Sequence, residues 1–294
     1  MGILAKGVDK KIAYKKEASW GTIAPDTGAK QLRRVTSQFN QNAETLQSAE
    51  IRQDYQIADY RLGSLSTEGS LNGELSPGTY SDFFAAALAK DFVAGGATTG
   101  ASLTIAASGS FYTITRAAGS WLTDGFYVGN IIRLTGAGFA PANVGNNLLV
   151  VGLTALVATV VVLSGTALVA EGPISSAGAA VVGKQSYVPM SGHTDDSYTV
   201  EQWFSDIAQS EVYTGLKPAS IALSLPSTGL VTASLSFMGK NLERTGTTQY
   251  FTSPAATNTE GIFAAVSGAV IVNGQPVGLI TSMDLSISRN QEAR

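Results

Sequence analysis

Polar and apolar residues alternate with the two-residue period of a β-strand in several parts of the chain. In residues 64–75, the even positions hold Ser, Glu or Asn and the odd positions hold Leu, Thr or Gly. Because successive side chains of a strand point to opposite faces of a sheet, the pattern predicts a strand with one polar face.

Further strands are predicted where alternation, or a run of β-branched residues, is bounded by Gly, Pro or Asn. They lie at residues 110–116, 130–135, 148–153, 159–164, 197–204, 220–225, 230–238, 269–272 and 279–288. The only helix predicted covers residues 77–90, with Ser76 as N-cap and Pro77 in the first helical position. Its apolar stripe consists of Tyr80, Phe83, Phe84, Ala87 and Leu88. The chain is therefore predicted to be mainly β, an antiparallel β-sandwich or barrel with one flanking α-helix.

The middle of the chain differs in character from both ends. Gly-, Ala- and Ser-rich segments enclose it, as is typical of linkers. We therefore predict a main domain in two parts, residues 1–94 and 186–294, with an inserted small all-β module at residues 95–185. The aromatic residues expected in the core of the module are Trp121, Phe126, Tyr127 and Phe139.

Residues 148–170 carry no charge over a length that could span a bilayer. Val and Thr are frequent there, and Gly152 and Gly165 interrupt the run. These features favour two strands joined by a short turn over a membrane helix. The N-terminus has charges throughout and no apolar stretch of secretory length, so no signal peptide is predicted.

The first sixty residues are rich in charge and suggest an extended arm. Such an arm could be solvated or could lie on a neighbouring subunit, and the sequence leaves both readings open. Residues 45–61 are polar, with irregularly spaced apolar residues, and predict a long exposed loop or hairpin arm. Long loops in compact domains are usually functional.

Composition narrows the functional classes. Of 294 residues, 44% are hydrophobic but only 14% are charged, and the net charge is −3. Nothing indicates a basic nucleic-acid-binding protein. The chain contains no Cys, which excludes disulfides, thiol chemistry and Cys-based metal sites.

No catalytic constellation is found in the sequence. The single histidine, His193, lies in a loop beside Asp195 and Asp196, a weak pattern for a metal ligand or general base and more typical of a solvated turn. Phosphate-binding and dinucleotide-binding glycine motifs and the nucleophile elbow are absent. We therefore predict a protein that is not an enzyme and has no cofactor and no metal.

The polar sides of the predicted main-domain strands share one property: every charge on them is negative. These positions are Ser64, Ser66, Glu68, Ser70, Asn72, Glu74, Ser197, Thr199, Glu201, Thr232, Ser234, Ser236, Ser282, Asp284, Ser286 and Ser288. An ordinary solvent face mixes Lys with Glu. A surface without cations offers no contact to a phosphate, so a polyanion would not adhere to it. The alternative is an unremarkable Ser- and Thr-rich outer face.

Four segments together resemble the tail tube protein (major tail protein) of long-tailed phages. They are "AYKKEASWGT", "GSLNGELSPGTYSDFFAAAL", "YTVEQWFSDIAQSEVYTGLKPASIALSLPSTG" and "SGAVIVNGQPVGLITSMDLSIS", and the middle two are the more specific. The resemblance implies hexameric rings that stack into a tube, a sheet from each subunit lining the lumen, and double-stranded DNA passing without specific binding. It also implies that a long loop and the terminal arms join successive rings.

Carried onto this sequence, the resemblance makes Glu68, Glu74, Glu201 and Asp284 candidates for the lumen. The inter-ring loop candidates are Ile51, Arg52, Asp54, Tyr55, Asp59 and Tyr60. It implies further partners, the tape measure protein and the tail terminator and distal tail proteins, and assembly in the bacterial cytoplasm into a virion, without a membrane. The alternative function is another surface-exposed structural β-protein of a virion, a decoration or adhesin-type module.

Overall fold

The computed structural model of the chain describes residues 5–51, 53, 59–186, 190–265, 271–272, 275–276 and 282–290. The chain divides into two compact units. The first unit contains Met1–Asp91, Tyr187–Gly268 and Ile280–Arg294, and the second contains Phe92–Ser186 and Ala269–Leu279.

The described residues are mainly β, as the sequence predicted, and every pairing between the named strands is antiparallel. In chain order the strands and the single described α-helix are β1 (Lys10–Lys16), β2 (Lys30–Gln31), β3 (Thr36–Gln47), β4 (Tyr60–Glu74), α1 (Ser81–Leu88), β5 (Val93–Ala94), β6 (Ala97–Ser108), β7 (Phe111–Arg116), β8 (Ile131–Gly136), β9 (Asn147–Leu153), β10 (Val157–Ser164), β11 (Glu171–Val181), β12 (Lys184–Gln185), β13 (Tyr198–Phe204), β14 (Gln209–Pro226), β15 (Thr232–Gly239), β16 (Asn241–Gly246), β17 (Ile271–Val272), β18 (Gln275–Pro276) and β19 (Ser282–Ser288). Short 3₁₀ helices lie at Gly7–Asp9 and Pro141–Asn143.

The first unit is built on a nine-stranded sheet in the order β2-β1-β13-β14-β15-β4-β3, with β16 and β19 also paired to β14. The 18-residue strand β14 takes part in two halves of this sheet. Up to Leu216 it pairs with β13 and β16, and from Lys217 it pairs with β15 and β19. We call β2, β1, β13 and β16 the first half, and β19, β15, β4 and β3 the second half.

Gly215 lies on β14 between these two pairing regions and has a φ of +71°. Its N–H donates to the Glu17 carboxylate at 2.8 Å, and its carbonyl accepts from the Trp20 indole at 3.1 Å. Glu17 is buried, and its other donors are the Gly21 N–H, the Ser197 hydroxyl and the Thr199 hydroxyl. Glu17 and Trp20, in the short segment after β1, therefore bind the backbone N–H and carbonyl of Gly215, the residue at which β14 passes from the first half of the sheet to the second.

The core of the first unit combines both halves of the sheet with α1. Its buried members are Ile12, Tyr14, Leu32, Phe39, Leu71, Tyr80, Phe83, Ala86, Ala87, Tyr198, Val200, Tyr213, Leu216, Ile221, Ala233, Leu235 and Phe237. Tyr14 donates to the Asp82 carboxylate at 3.0 Å, and Tyr198 donates to the Asp82 carbonyl at 2.8 Å. Burial raises the pKa of both tyrosines, so their hydroxyls remain protonated donors that fix the start of the helix.

The helix is shorter than predicted. It begins at Ser81 instead of Pro77, because the Ser76 hydroxyl is bonded to the Thr79 hydroxyl and the preceding residues form a turn. It ends where Ala89 adopts a left-handed conformation with a φ of 54° and donates to carbonyls of the last turn. Its predicted apolar stripe is confirmed in Tyr80, Phe83 and Ala87, which are buried.

The N-terminal region differs from the predicted arm. Residues 10–16 form β1, an internal strand between β2 and β13, and Ile12 and Tyr14 in it are buried. This strand was not predicted, because its apolar segment in "KKIAYKK" is short and is flanked by lysines on both sides. The long strand β3 was also missed, since it carries only one buried apolar residue, Phe39.

The second unit contains a closed six-stranded barrel in the order β10-β7-β6-β11-β8-β9. The uncharged segment forms the antiparallel pair β9 and β10, as predicted. In the barrel core, Trp121 and Phe126 are buried with their rings 4.9 Å apart, and Phe139 packs against this core. Tyr127, which was predicted to join them, is exposed instead. Among the described residues, no helix is long and apolar enough to cross a membrane.

We expect Gly215→Ala to destabilise the first unit more than Gly192→Ala does. A Cβ at Gly215 would lie 2.8 Å from Lys240 Cβ, whereas nothing lies within 4 Å of a Cβ at Gly192, which has a similar φ of +70°. Left-handed backbone alone costs an alanine about 1–2 kcal/mol, and the clash adds to that cost only at Gly215. Equal losses in urea unfolding free energy would contradict a tightly held bend.

Candidate functional site

The second half of the sheet has one polar face that extends over five strands. The strand register places Ser70 between Gln38 on β3 and Ser236 on β15, and it pairs Ser236 with Ser220 on β14. Ser220 in turn pairs with Ser288 on β19. The polar face comprises Thr36, Gln38, Asn40, Asn42, Ser66, Glu68, Ser70, Asn72, Glu74, Ser220, Ala222, Ser224, Thr232, Ser234, Ser236, Ser282, Asp284, Ser286 and Ser288.

Side-chain hydrogen bonds cross the polar face from strand to strand. Asn72 is central: it donates to the Thr36 hydroxyl at 2.9 Å and accepts from the Ser234 hydroxyl at 2.5 Å. The other cross-strand pairs are Ser220 with Ser236 at 2.6 Å, Ser224 with Asp284 at 2.6 Å, and Asn42 with Glu68. The side chains of the face are short and bond to each other. The face has two open depressions, of about 540 and 570 Å³.

The charge of the polar face is negative. Glu68 and Asp284 are exposed and Glu74 is half-buried, whereas none of the positions assigned to the face is Lys or Arg. Lys217, which the register places opposite Met238 at the end of the face, pairs with Asp195 at 2.5 Å. Three of the four predicted lumen carboxylates thus lie on one continuous surface.

The fourth predicted carboxylate, Glu201, is elsewhere. It lies on β13 in the first half of the sheet and is completely buried. Its carboxylate accepts hydrogen bonds from Ser210 Oγ at 2.6 Å, Tyr250 N at 2.5 Å and Phe251 N at 3.0 Å. The alternation in β13 was read correctly, but its polar side is covered by the segment around Tyr250. Glu201 therefore ties that segment to the sheet and is not a surface residue.

Two edge strands limit the polar face, β3 on one side and β19 on the other. On β19, the apolar residues Met283 and Leu285 remain exposed on the side opposite Asp284. On β3, the Ser37 carbonyl accepts from Lys10 at 2.6 Å, and the Phe39 carbonyl accepts from Tyr213 at 2.9 Å. An edge strand with exposed apolar side chains is a template for pairing with another chain.

Strands β3 and β4 extend into a hairpin whose outer part we call the β3–β4 arm, residues 43–65. Its exposed apolar residues are Leu46, Ile51, Tyr60, Leu62 and Leu65. Asp59 accepts from the Tyr60 N–H and from Arg61 Nε, both at 2.8 Å. The predicted loop residues Ile51, Asp59 and Tyr60 are thus placed on this arm, and Arg52, Asp54 and Tyr55 lie outside the described residues.

The acidic residues near His193 form ion pairs. Asp196 pairs with Lys16 at 2.7 Å, and Asp195 pairs with Lys217 at 2.5 Å and with Arg289 at 3.7 Å. His193 itself is exposed. The described part of the chain holds no group of three or more His, Cys, Asp or Glu residues that could bind a metal ion.

A polar sheet face, two strands that pair on one side only among the described residues, and an arm with exposed apolar side chains are features of a chain that assembles with other chains. In agreement with this class, the family model described as phage tail tube protein matches residues 7–294. The chain therefore belongs to the phage tail tube protein family and is a structural component of the phage tail. No curated protein matches it.

We expect Glu201→Ala to lower the free energy of unfolding by about 2 kcal/mol or more. The substitution leaves three donors without their acceptor, and an unpaired buried polar group costs about 1–3 kcal/mol. Glu243→Ala on β16 is the matched control, because that carboxylate is exposed and we expect a change within about 0.5 kcal/mol. Urea unfolding of both variants checks this, and equally small losses would contradict a structural role for Glu201.

Proposed function

We propose that the chain assembles into hexameric rings that stack into a tube, and that the polar face lines the lumen through which double-stranded DNA passes. The observation that carries the proposal is the polar face itself: five strands, three carboxylates and no cation in its assigned positions. Phosphates find no Lys or Arg there, and the carboxylates repel them. DNA would therefore pass without being held.

Ring closure would join β19 of one copy to β3 of the next. Both strands are edges of the same half of the sheet, so the pairing would continue the polar face around the ring. It would also cover Met283 and Leu285, which are exposed in the single chain. Since the Ser37 and Phe39 carbonyls already accept bonds within the chain, the outer part of β3 is the part that would pair.

The remaining roles follow the resemblance to long-tailed phage tubes. The β3–β4 arm, with Ile51, Arg52, Asp54, Tyr55, Asp59 and Tyr60, would contact the neighbouring ring. The tape measure protein would occupy the lumen before ejection, and the terminator and distal tail proteins would cap the two ends. Assembly would take place in the host cytoplasm, without a cofactor or a catalytic step.

We expect Glu68→Lys combined with Glu74→Lys to leave tube formation intact but to reduce infectivity. The new ammonium groups would bind phosphates along the DNA path. The control is Glu243→Lys, a single charge reversal at an exposed residue that is not part of the polar face. Negative-stain microscopy of the tails and titration of the phage measure the two effects. Normal infectivity of the double variant would remove Glu68 and Glu74 from the lumen, and persistent monomers of the unaltered protein would refute the tube.

We propose that residues 95–185 form an inserted module that the tube does not need, and that removing residues 96–182 leaves assembly intact. The two ends of the module already pair, Ala94 with Lys184, in the ladder of β5 and β12. The deletion would join Gly95 to Gly183 and close that ladder with a two-residue Gly-Gly turn. A shortened chain that folds, by circular dichroism, but forms no tubes would show that the module is required.

A further inference from the structure

A basic groove of about 470 Å³ lies beside the start of β3. Lys10, Lys11 and Arg34 are among its lining residues, with Val8 and Val35, and none of the lining residues described there is acidic. Val8 is 88% exposed, so an apolar side chain is presented to solvent next to three cations. We call this surface the N-terminal groove.

Lys10 and Arg34 in the N-terminal groove bond to carbonyl and amide oxygens, and no ion pair with a carboxylate is found for them within the described residues. Lys10 Nζ donates to the Ser37 carbonyl at 2.6 Å and to Gln202 Oε1 at 2.7 Å. Arg34 donates to the Gly7 carbonyl at 3.0 Å and to the Lys10 carbonyl. Burial, and then the Arg34 guanidinium, lower the pKa of Lys10 to about 8, while Glu211 opposes this shift. An entering carboxylate would relieve the repulsion between these cations.

The β3–β4 arm has the complementary character. Residues 44–61 hold four acidic residues and two basic ones, which gives a net charge of −2. At the end of the described arm, Glu50 is exposed and the neighbouring Ile51 is 98% exposed. An acidic and apolar tip therefore matches a basic and apolar groove in both charge and hydrophobicity.

The two surfaces lie at opposite ends of β3. Arg34 and Val35 immediately precede the strand, and the tip of the arm follows its last residue, Gln47. At about 3.4 Å per residue, the eleven steps from Thr36 to Gln47 span about 37 Å. One chain cannot bring them together. Copies arranged head to tail along β3 can, and such contacts build an open stack when the rotation between copies does not close a ring.

We propose that the N-terminal groove is the receptor for the tip of the β3–β4 arm of another copy, with Glu50 seated among Lys10, Lys11 and Arg34. This deepens the proposed function, on which it rests, by naming the surface that receives the arm in the next ring. The groove is assigned to a protein segment and not to DNA, because three cations supply few phosphate contacts.

The test uses charge reversal on each surface in the full chain. Lys11→Glu alters the groove, Glu50→Lys alters the arm, and Lys184→Glu, an exposed lysine on β12, is the matched control. We expect each single variant to form rings but to shorten tubes at least tenfold in negative-stain images. The combined variant should recover tube length, since the charges are exchanged. Arg34→Gln is a second groove variant in case Lys11→Glu does not fold.

Separately prepared rings of the two single variants give the sharpest outcome. In such a mixture the unaltered arm of one ring fits the unaltered groove of the other, and the reversed arm fits the reversed groove, so the two kinds of ring should form long alternating stacks that neither forms alone. If the single variants form tubes of ordinary length, the arm–groove contact is wrong, although the proposal of a tube is unaffected. The contact is also wrong if the combined variant forms only short tubes. If the unaltered chain forms no tubes, the proposed function fails first. Binding of a labelled DNA duplex that Lys11→Glu abolishes would overturn the assignment to a protein segment.

Discussion

The bend of β14 at Gly215 is the constraint on which the first unit depends. One strand serves both halves of the sheet, and the Glu17 carboxylate and Trp20 indole hold the backbone N–H and carbonyl of the glycine between them. A buried carboxylate is stable only when its oxygens accept hydrogen bonds, and Glu17 has four donors. Glu17 and Trp20, near the start of the chain, thus hold the point at which a strand two hundred residues later changes partners.

The polar face follows from this arrangement. Past the bend, β14 contributes alternate residues to the core and to the outer surface, and its neighbours follow the same two-residue period. The apolar residues Ile221, Leu235 and Leu71 fill the core, so Ser220, Ser236 and Ser70 must lie on the other side. Short polar residues that hydrogen bond to each other then take the place of most long charged side chains of an ordinary surface. Because the chain belongs to the phage tail tube family, we propose that this surface lines the tube.

The sequence predicted strands well where apolar residues alternate with polar ones, as in β4, β13 and β15, and where β-branched residues form an uncharged run interrupted by glycine, as in the pair β9 and β10. It failed for β1 and β3, in which lysines or amides outnumber the buried residues, and for Glu201, which a distant loop covers. It also failed for β6 and β11, because the Gly-, Ala- and Ser-rich segments that were predicted to be linkers lie largely within these two barrel strands. The role of Glu17 was not predicted, because its donors come from residues far apart in the chain. Local pattern shows which side of a strand is polar, but tertiary contacts decide whether that side meets solvent.

We propose that the polar face is the inner wall of a tube, and a cryo-electron microscopy reconstruction of assembled particles that traces side chains would show where this face lies. We expect Glu68 and Asp284 on the lumen surface of every ring, with β19 of each subunit beside β3 of the next. Placement of these carboxylates on the outer surface, or inside a contact between rings, would contradict it.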